Sequence, residues 1–316
     1  MDTVQTRYGE IPVAGCLEWH FTGVLMSCAP AGPALLDTPF GALPPQYSTD
    51  DLRRRTVQAV HFYDNGALRH LPLETRTEIM TPAGPLLAEL VTFHRDGSLS
   101  RVFPLNGKLS GYWTQDDEGR LAEPVTLATP LGKVSARLIA ASFRPDGTMR
   151  SLTLWPGETL DVATPAGLLA VRIGVSFRSD GTVESVEPAR PLTVATPVGQ
   201  VRAYDLDACG IHGDQNSLRF APDGTVSGVA TSLTQLLATG PDGVERRFAP
   251  KSRESLCGDR DREPVPMWLD FTPEAVSVRS EPDAEPVVLA TADHRFRTSP
   301  HLEQFANPFG KMACSA

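Results

Sequence analysis

Residues 168–188 read LLAVRIGVSFRSDGTVESVEP and contain the pattern that decides the fold. Between residues 169 and 177, apolar side chains alternate with small or polar ones, which is typical of a strand with one buried face. Arg178-Ser179-Asp180-Gly181 then reverses the chain, and a second short apolar stretch follows. The segment therefore predicts a β-hairpin.

Two turn types fit an Asp-Gly reversal, a two-residue type I′ turn or a type I turn closed by a glycine bulge. Related segments at residues 144–147 and 221–224 place proline just before the Asp-Gly pair. Proline has no N–H to bond across a type I′ hairpin, but its fixed φ suits the second position of a type I turn. We therefore predict three-residue loops, with the glycine in the left-handed region.

The hairpin belongs to a repeat with two signatures. The first signature is an aromatic residue followed by a turn, usually Asp-Gly. Its copies begin at Trp19, Phe62, Phe93, Phe143, Phe177 and Phe220. A Thr-Pro-x-Gly turn begins at Thr38, Thr81, Thr129, Thr164 and Thr196. We interpret residues 239–243, TGPDG, as a decayed copy of the second signature. Each unit offers about three strands and cannot bury its apolar face alone, so neighbouring copies must stack or pair.

Apolar residues recur two and five positions after each turn glycine, such as Met149 and Leu152 after Gly147. A step of three places two side chains on opposite faces of a regular strand. Either a β-bulge intervenes or both faces are buried.

These patterns predict an all-β fold of about six imperfect three-strand repeats, forming a twisted meander or an irregular β-solenoid. A six-bladed β-propeller is the alternative, and it requires a fourth strand per blade that the shortest units lack. We expect a β-repeat domain over residues 1–250, a charged loop or linker over 251–263, and C-terminal strands with a loosely ordered tail over 264–316.

Residues 93–113, FHRDGSLSRVFPLNGKLSGYW, resemble the MORN and YwqK-type β-repeats in their aromatic, polar-Gly hairpin and their Gly-Tyr-Trp ending. The resemblance covers the hairpin half of each unit, roughly residues 16–230, and does not include the Thr-Pro-x-Gly turns. It implies an elongated sheet that scaffolds or binds partners, and it carries over no catalytic residues.

Composition narrows the classes of function. A net charge of −9 argues against nucleic acid or an anionic membrane as the main partner, and Arg53-Arg54-Arg55 is the only tight basic run. The first ten residues lack the features of a signal peptide, and the five cysteines do not form a disulfide framework. We therefore expect a cytoplasmic protein.

Two insertions interrupt the repeat and are the candidate sites. The first, residues 104–124, contains an aromatic pair beside an acidic run, which suggests a binding platform or an aromatic cap on an edge strand. Its candidate binding residues are Tyr112, Trp113, Asp116 and Asp117.

The second insertion, residues 205–217, concentrates carboxylate, thiol and imidazole groups. Cys209 and His212 are three residues apart and have metal-ligand chemistry, so a divalent metal is a hypothesis here. A polar surface loop is the simpler interpretation. The candidate metal ligands are Asp205, Asp207, Cys209, His212 and Asp214.

Cys16 and Cys28, with His20 between them, suggest a metal or redox site at first sight. Both cysteines occupy repeat positions that elsewhere hold mostly small or apolar residues, so we predict buried packing thiols. No hydrolase, nucleotide-binding or calcium-loop motif is present. We expect a non-enzymatic intracellular binding or scaffolding protein without a cofactor, whose protein partner binds the insertions. The alternative is a metal-binding protein or metal-dependent enzyme centred on residues 205–214.

Overall fold

The computed structural model describes residues 2–50, 52–208, 214–254, 262–281 and 284–301. Over this part of the chain the protein is all-β, with one short helix. Contacts divide it into two compact units, the first comprising residues 1–186 and 209–216 and the second residues 187–208 and 217–316.

The first unit is an antiparallel meander that follows the repeat. Its strands and helix are β1 (Asp2–Thr6), β2 (Gly9–Val13), β3 (Glu18–Trp19), β4 (Leu25–Cys28), β5 (Leu36–Thr38), β6 (Gly41–Leu43), β7 (Val60–Phe62), β8 (Leu68–Thr81), β9 (Gly84–Phe93), β10 (Leu99–Phe103), α1 (Gln115–Gly119), β11 (Pro124–Thr129), β12 (Gly132–Phe143), β13 (Met149–Leu154), β14 (Leu160–Thr164), β15 (Gly167–Phe177) and β16 (Val183–Pro188), whose last two residues belong to the second unit.

The predicted meander is confirmed. Strands β3, β4, β7, β8, β9, β10, β12, β13 and β15 pair in this order, each antiparallel to the next. Consecutive hairpins are thus bonded to each other, so the units form one continuous sheet and not separate blades. The first half of β12 pairs with β11 and its second half with β13, which is the predicted three-strand unit.

The second unit contains a run of five paired strands and several two- and three-stranded ribbons. Its strands are β17 (Leu192–Thr196), β18 (Gly199–Ala203), β19 (Leu218–Phe220), β20 (Val226–Thr231), β21 (Thr234–Thr239), β22 (Glu245–Phe248), β23 (Lys251–Glu254), β24 (Arg262–Val265), β25 (Met267–Phe271), β26 (Ala275–Arg279), β27 (Val287–Ala290) and β28 (Arg295–Pro300). Strands β19, β20, β25, β26 and β27 pair in order, and β21 lies between β22 and β28.

Two expectations for the C-terminal part differ from the structure. The described ends of the predicted charged linker are strands, since β23 pairs with β24, while residues 255–261 lie outside the described part. The first part of the expected loosely ordered tail is instead β28, which pairs with β21 over six residues, while residues 302–316 lie outside the described part. Pairing with a distant strand gives order that the polar local sequence does not signal.

The Asp-Gly hairpins have the predicted loops. In the fourth copy, Arg144 N donates to Thr148 O at 2.8 Å and Gly147 N donates to Arg144 O at 2.9 Å, which defines a type I turn followed by a bulge. Gly147 has a φ of 82°. Asp146 Oδ1 accepts hydrogen bonds from the backbone and the hydroxyl of Thr148, so the aspartate is explained by turn geometry.

Of the two alternatives for the step of three, the structure contains the β-bulge. Phe143 lies opposite Met149 and Ser142 lies opposite Ser151, so Arg150 is the extra residue. The same register shift occurs beside Trp19, Phe62, Phe93 and Phe220. The bulge lets apolar residues three apart face the same side of the sheet. The repeat phenylalanines are buried within their own units, Phe62, Phe93, Phe143 and Phe177 in the first and Phe220 in the second.

The Thr-Pro-x-Gly turns close two-residue hairpin loops, with the threonine opposite the glycine. In each turn the threonine hydroxyl donates to the glycine carbonyl and accepts from the third residue's N–H. Residues 6–9, TRYG, form a sixth such turn that the sequence pattern missed because arginine replaces proline.

The interpretation of residues 239–243 was wrong. Gly240 N donates to Val244 O and Gly243 N donates to Gly240 O, both at 3.0 Å. These bonds, together with a φ of 77° at Gly243, define an Asp-Gly loop and not a Thr-Pro-x-Gly turn. The Pro-Asp-Gly sequence therefore sets the turn type in this segment, although a threonine precedes it.

Side chains link each hairpin of the meander to the next. The side chain that follows the repeat aromatic of one hairpin donates to the backbone carbonyl of the repeat aromatic in the next hairpin. These bonds run from His20 Nε2 to Phe62 at 3.1 Å, from Tyr63 Oη to Phe93 at 3.0 Å and from His94 Nε2 to Phe143 at 2.9 Å. Arg144 makes the same link to Phe177. The copies are therefore joined by hydrogen bonds as well as by packing.

We expect Gly147→Ala to lower the free energy of unfolding by roughly 1–2 kcal/mol, because an L side chain at positive φ is strained. The added methyl group would also lie 3.4 Å from Pro82 of a neighbouring turn. Urea denaturation followed by circular dichroism measures the change. Gly111→Ala is the control, since Gly111 lacks a positive φ and has no atom within 4 Å of the new methyl group. Equal stability of the two variants would contradict the turn assignment.

Candidate functional site

The first insertion is a rigid loop built around a short helix. Thr114 is the N-cap of α1, and it forms a reciprocal capping box with Asp117, which also pairs with Arg120 at 3.0 Å. The carboxylate of Asp117, a predicted binding residue, is therefore used to begin the helix. Asp116 is exposed and belongs to the first helical turn, where negative charge is favoured.

A buried charge cluster holds this insertion on the sheet. Arg53 donates to both carboxylate oxygens of Glu118, at 2.7 Å each, and its Nη1 donates to Glu89 at 3.1 Å. Glu118 also accepts from Trp113 Nε1 at 2.7 Å and from the backbone N–H of Gly107 at 2.8 Å. Both glutamates are buried. The cluster joins three chain segments that are far apart in sequence.

Electrostatics of the cluster favour the charged forms of its members. Burial alone would raise the pKa of Glu118, but hydrogen bonds from Arg53 and Trp113 hold it below its usual value. Burial would likewise lower the pKa of Arg53, and the bonds to Glu118 and Glu89 raise it instead. Gly107 permits this approach, because a methyl group there would lie 2.1 Å from Glu118 Oε2. A buried pair with such complete bonding is costly to break.

The predicted aromatic pair divides into an inner and an outer residue. Trp113 is half-buried and belongs to the charge cluster through Glu118. Tyr112 is 72% exposed and packs on the guanidinium of Arg55, which lies 5.2 Å from the ring centroid. Leu109, on the insertion, and Leu52, on the loop that carries Arg53 and Arg55, are both more than half exposed. The two loops meet where Lys108 N donates to Arg53 O. The outer surface of the insertion is therefore apolar and aromatic.

The described carboxylates of the second insertion belong to different units. Asp205 and Asp207 lie in the second unit, where Asp205 Oδ1 accepts from the N–H of Asp207 at 3.0 Å. Asp214 lies in the first unit. Its two oxygens accept from Arg101 at 3.1 Å and from the hydroxyl of Ser151, and Arg150 lies 3.4 Å away.

Cys209 and His212 lie outside the described residues, so the proposed metal set stays a prediction. Within the part of the chain that the structure describes, no group of three or more His, Cys, Asp or Glu side chains is arranged to hold a metal ion.

The cysteine prediction is half correct. Cys28 is buried, and burial raises the pKa of its thiol to about 11, so it is an inert packing residue. Cys16 is exposed, contrary to the prediction. His20 bonds the carbonyl of Phe62 and serves the repeat.

A row of polar side chains crosses the sheet and was not predicted. Neighbouring members lie opposite each other on adjacent strands. The row, named the polar row here, consists of Glu18, Ser27, His61, His70, Thr92, Arg101, Ser142, Ser151, Ser176 and Ser185, the last joined to Ser176 by a 2.6 Å hydrogen bond. The missed signal was the polar residue that directly precedes each repeat aromatic.

The two ends of the polar row differ in how deeply their side chains are buried. The serines from β12 to β16 are buried, and Arg101, Asp214 and Asn216 bond their hydroxyls. At the other end, His61 and His70 are half-buried with ring centroids 5.5 Å apart in an edge-to-face arrangement. Burial, reinforced by His61 and Arg69, lowers the pKa of His70 to about 4. Burial and Arg69 also lower the pKa of His61.

Comparison of the chain with protein-family models, with curated proteins and with solved structures finds no match to any of them. The resemblance to the MORN and YwqK-type repeats therefore stays a prediction. Among the described residues, no helix is long and apolar enough to cross a membrane.

We expect Glu118→Gln to lower the free energy of unfolding by roughly 3 kcal/mol, because it leaves the buried Arg53 with one charged partner instead of two. The change should also shift the fluorescence of Trp113 to longer wavelength as its bond to position 118 weakens. Asp116→Asn, an exposed change two residues away, is the matched control and should lower stability by at most about 0.5 kcal/mol, the contribution of a charge in the first helical turn, and leave the fluorescence unchanged. A Glu118→Gln protein of unchanged stability would contradict the anchoring role.

Acid should destabilise the first unit through His70. In the unfolded chain this imidazole titrates near 6.5, whereas in the folded unit its pKa is about 4. The unfolded state therefore binds the proton first, so the contribution of His70 to stability is complete well above pH 6.5 and is lost as pH decreases toward 4. The full shift corresponds to about 3 kcal/mol, which the partial exposure of His70 reduces to about 2 kcal/mol. Urea denaturation between pH 7 and pH 4.5 measures the slope. His70→Gln should flatten it, and an unchanged slope would contradict this assignment.

Proposed function

We propose that this chain is a non-enzymatic binding protein whose protein partner contacts the outer surface of residues 104–124. The observation that carries the proposal is the presentation of Leu52, Leu109 and Tyr112 on loops whose backbone is fixed by the Arg53–Glu89–Glu118 cluster. Aromatic residues and arginine are enriched at the centres of protein interfaces, and Tyr112 packs on Arg55 here.

Preorganisation supports this proposal. Ordering a loop on binding costs free energy that a rigid loop has already spent in folding. The first insertion is ordered by a capping box, a buried charge cluster and a backbone bond to the loop at Arg53. Its rim is acidic at Asp116. A partner with an apolar pocket for Tyr112 and a basic group facing Asp116 fits this surface.

The second insertion supports binding less directly. Asp214 is engaged by Arg101 and Ser151, which ties the described end of the insertion to the sheet. Both oxygens of this carboxylate are occupied, so we do not advance the alternative of a metal centre that uses it. Leu206, in the second unit, is 45% exposed and gives this insertion an apolar contact of its own.

We further propose that the protein acts inside the cell and away from nucleic acid and membrane surfaces. The net charge of −9 disfavours polyanionic partners. The thiols of Cys16 and Cys28 are free, as is usual in a reducing compartment.

Affinity capture from a lysate of the source cells, followed by mass spectrometry, tests the proposed surface. We expect a defined protein to be recovered with the unmodified chain and to fall at least tenfold with Leu109→Ser/Tyr112→Ser, because truncating interface anchors costs on the order of 2 kcal/mol. Leu168→Ser is the control, since Leu168 is as exposed as Tyr112 but lies on another hairpin. Equal recovery with both variants would contradict the assignment of this surface.

A further inference from the structure

Two histidines of the polar row, His61 and His70, use their ring nitrogens differently from three other histidines of the chain. His20, His94 and His294 each place a ring nitrogen within hydrogen-bond distance of a backbone carbonyl. Among the described residues, none forms a hydrogen bond with a ring nitrogen of His61 or His70, and these nitrogens are not sealed from solvent. A neutral imidazole has one acceptor nitrogen, so each of the two rings offers a free lone pair to a ligand from solution.

The strand register holds the two imidazoles together. His61 on β7 lies directly opposite His70 on β8. Residues directly opposite each other on antiparallel strands share one face of the sheet, with their Cβ atoms about 5 Å apart. Each strand is paired on its other side as well, with Ser27 of β4 opposite His61 and Thr92 of β9 opposite His70. The histidine pair is therefore carried by interior strands of the sheet and not by a loop.

The separation of the rings suits a single metal ion. A divalent metal lies about 2.1 Å from an imidazole nitrogen, and hence about 3.2 Å from the ring centre. Two rings at a tetrahedral angle then have centroids about 5.2 Å apart. The centroids of His61 and His70 are 5.5 Å apart, and the ring planes meet at 76°. Because χ2 of histidine varies over a broad range, rotation of the rings can aim one nitrogen of each at a common point.

Two side chains of opposite charge act on this pair. Burial and the charge of Arg69 lower the pKa of His61, while the charge of Glu18 raises it. The Glu18 carboxylate accepts a hydrogen bond from Ser27, so it contributes charge near the rings while its oxygen is engaged. The guanidinium of Arg69 packs on the ring of Tyr63. The two charges oppose each other, which leaves the imidazole nitrogens to determine what binds.

We propose that His61 and His70 together bind one divalent transition-metal ion, with water in the remaining coordination positions. Imidazole nitrogen is a preferred ligand of Zn²⁺, Ni²⁺ and Cu²⁺, whereas Mg²⁺ and Ca²⁺ prefer oxygen. The described residues place no third His, Cys, Asp or Glu side chain to complete a closed centre. Two protein ligands make an open, exchangeable site, with a dissociation constant for Zn²⁺ on the order of 10 µM.

Calorimetric titration of the full chain with Zn²⁺ at pH 7.5, after removal of metal by a chelator, tests the proposal. An imidazole is mostly neutral at this pH, as metal binding requires. His61→Gln and His70→Gln should each raise the dissociation constant of one Zn²⁺ equivalent at least tenfold. His294→Gln is the matched control and should leave the titration unchanged, because His294 is bonded to a carbonyl in the second unit. Mg²⁺ in place of Zn²⁺ should not bind to the pair.

Two charge variants test the same site while both imidazoles remain. Arg69→Gln should tighten Zn²⁺ binding about threefold because it removes a nearby positive charge, and Glu18→Gln should weaken binding about threefold. Circular dichroism checks that all variants are folded. A wild-type chain that binds no Zn²⁺ at about 100 µM would overturn the proposal. So would an unchanged titration in both histidine variants, or charge variants that shift the affinity in the opposite directions.

Discussion

The geometry of the Asp-Gly loop is the constraint from which most of the structure follows. A glycine at positive φ closes a type I turn and forces one extra residue into the returning strand. That extra residue shifts the strand by one position, so that apolar residues three apart face the same core. Strand alternation already places the residue before each aromatic on the opposite face, and the bulge brings a residue of the returning strand opposite it, as Ser151 lies opposite Ser142 in the polar row. One backbone conformation therefore produces both faces of the sheet.

Cohesion between copies depends on a small set of recurring contacts. Buried phenylalanines fill the core, and the residue after each aromatic bonds the next aromatic's carbonyl. The Thr-Pro-x-Gly turns add a second layer, with Pro82 against Gly147 and Pro130 against Gly181. In such an array each copy is stabilised mainly by its neighbours. An end copy lacks one neighbour, which explains why Trp19 is exposed at a position that is buried elsewhere.

The first insertion shows how an irregular segment becomes rigid without regular structure. Its helix has five residues and is too short to be stable by itself. Order comes from Arg53, Glu89 and Glu118, whose charges are buried and satisfy one another. Burial of two glutamates and one arginine is favourable only with this complete bonding. The cluster therefore fixes the backbone of the insertion on the sheet.

The sequence by itself determined the class of fold, the loop type and the two places where the repeat is interrupted, and it left a bulge and burial of both faces as alternatives. These depend on local conformational preferences, such as glycine at positive φ and proline without an N–H, which neighbouring residues reveal. Only the tertiary structure decided that Trp113 faces inward and Tyr112 outward, that Asp214 bonds Arg101 and Ser151, and that Cys16 is exposed. Those outcomes depend on residues distant in the chain, or on the position of a copy in the array. The bonding of Arg53 to Glu89 and Glu118 joins segments up to 65 residues apart, a distance that no local pattern records.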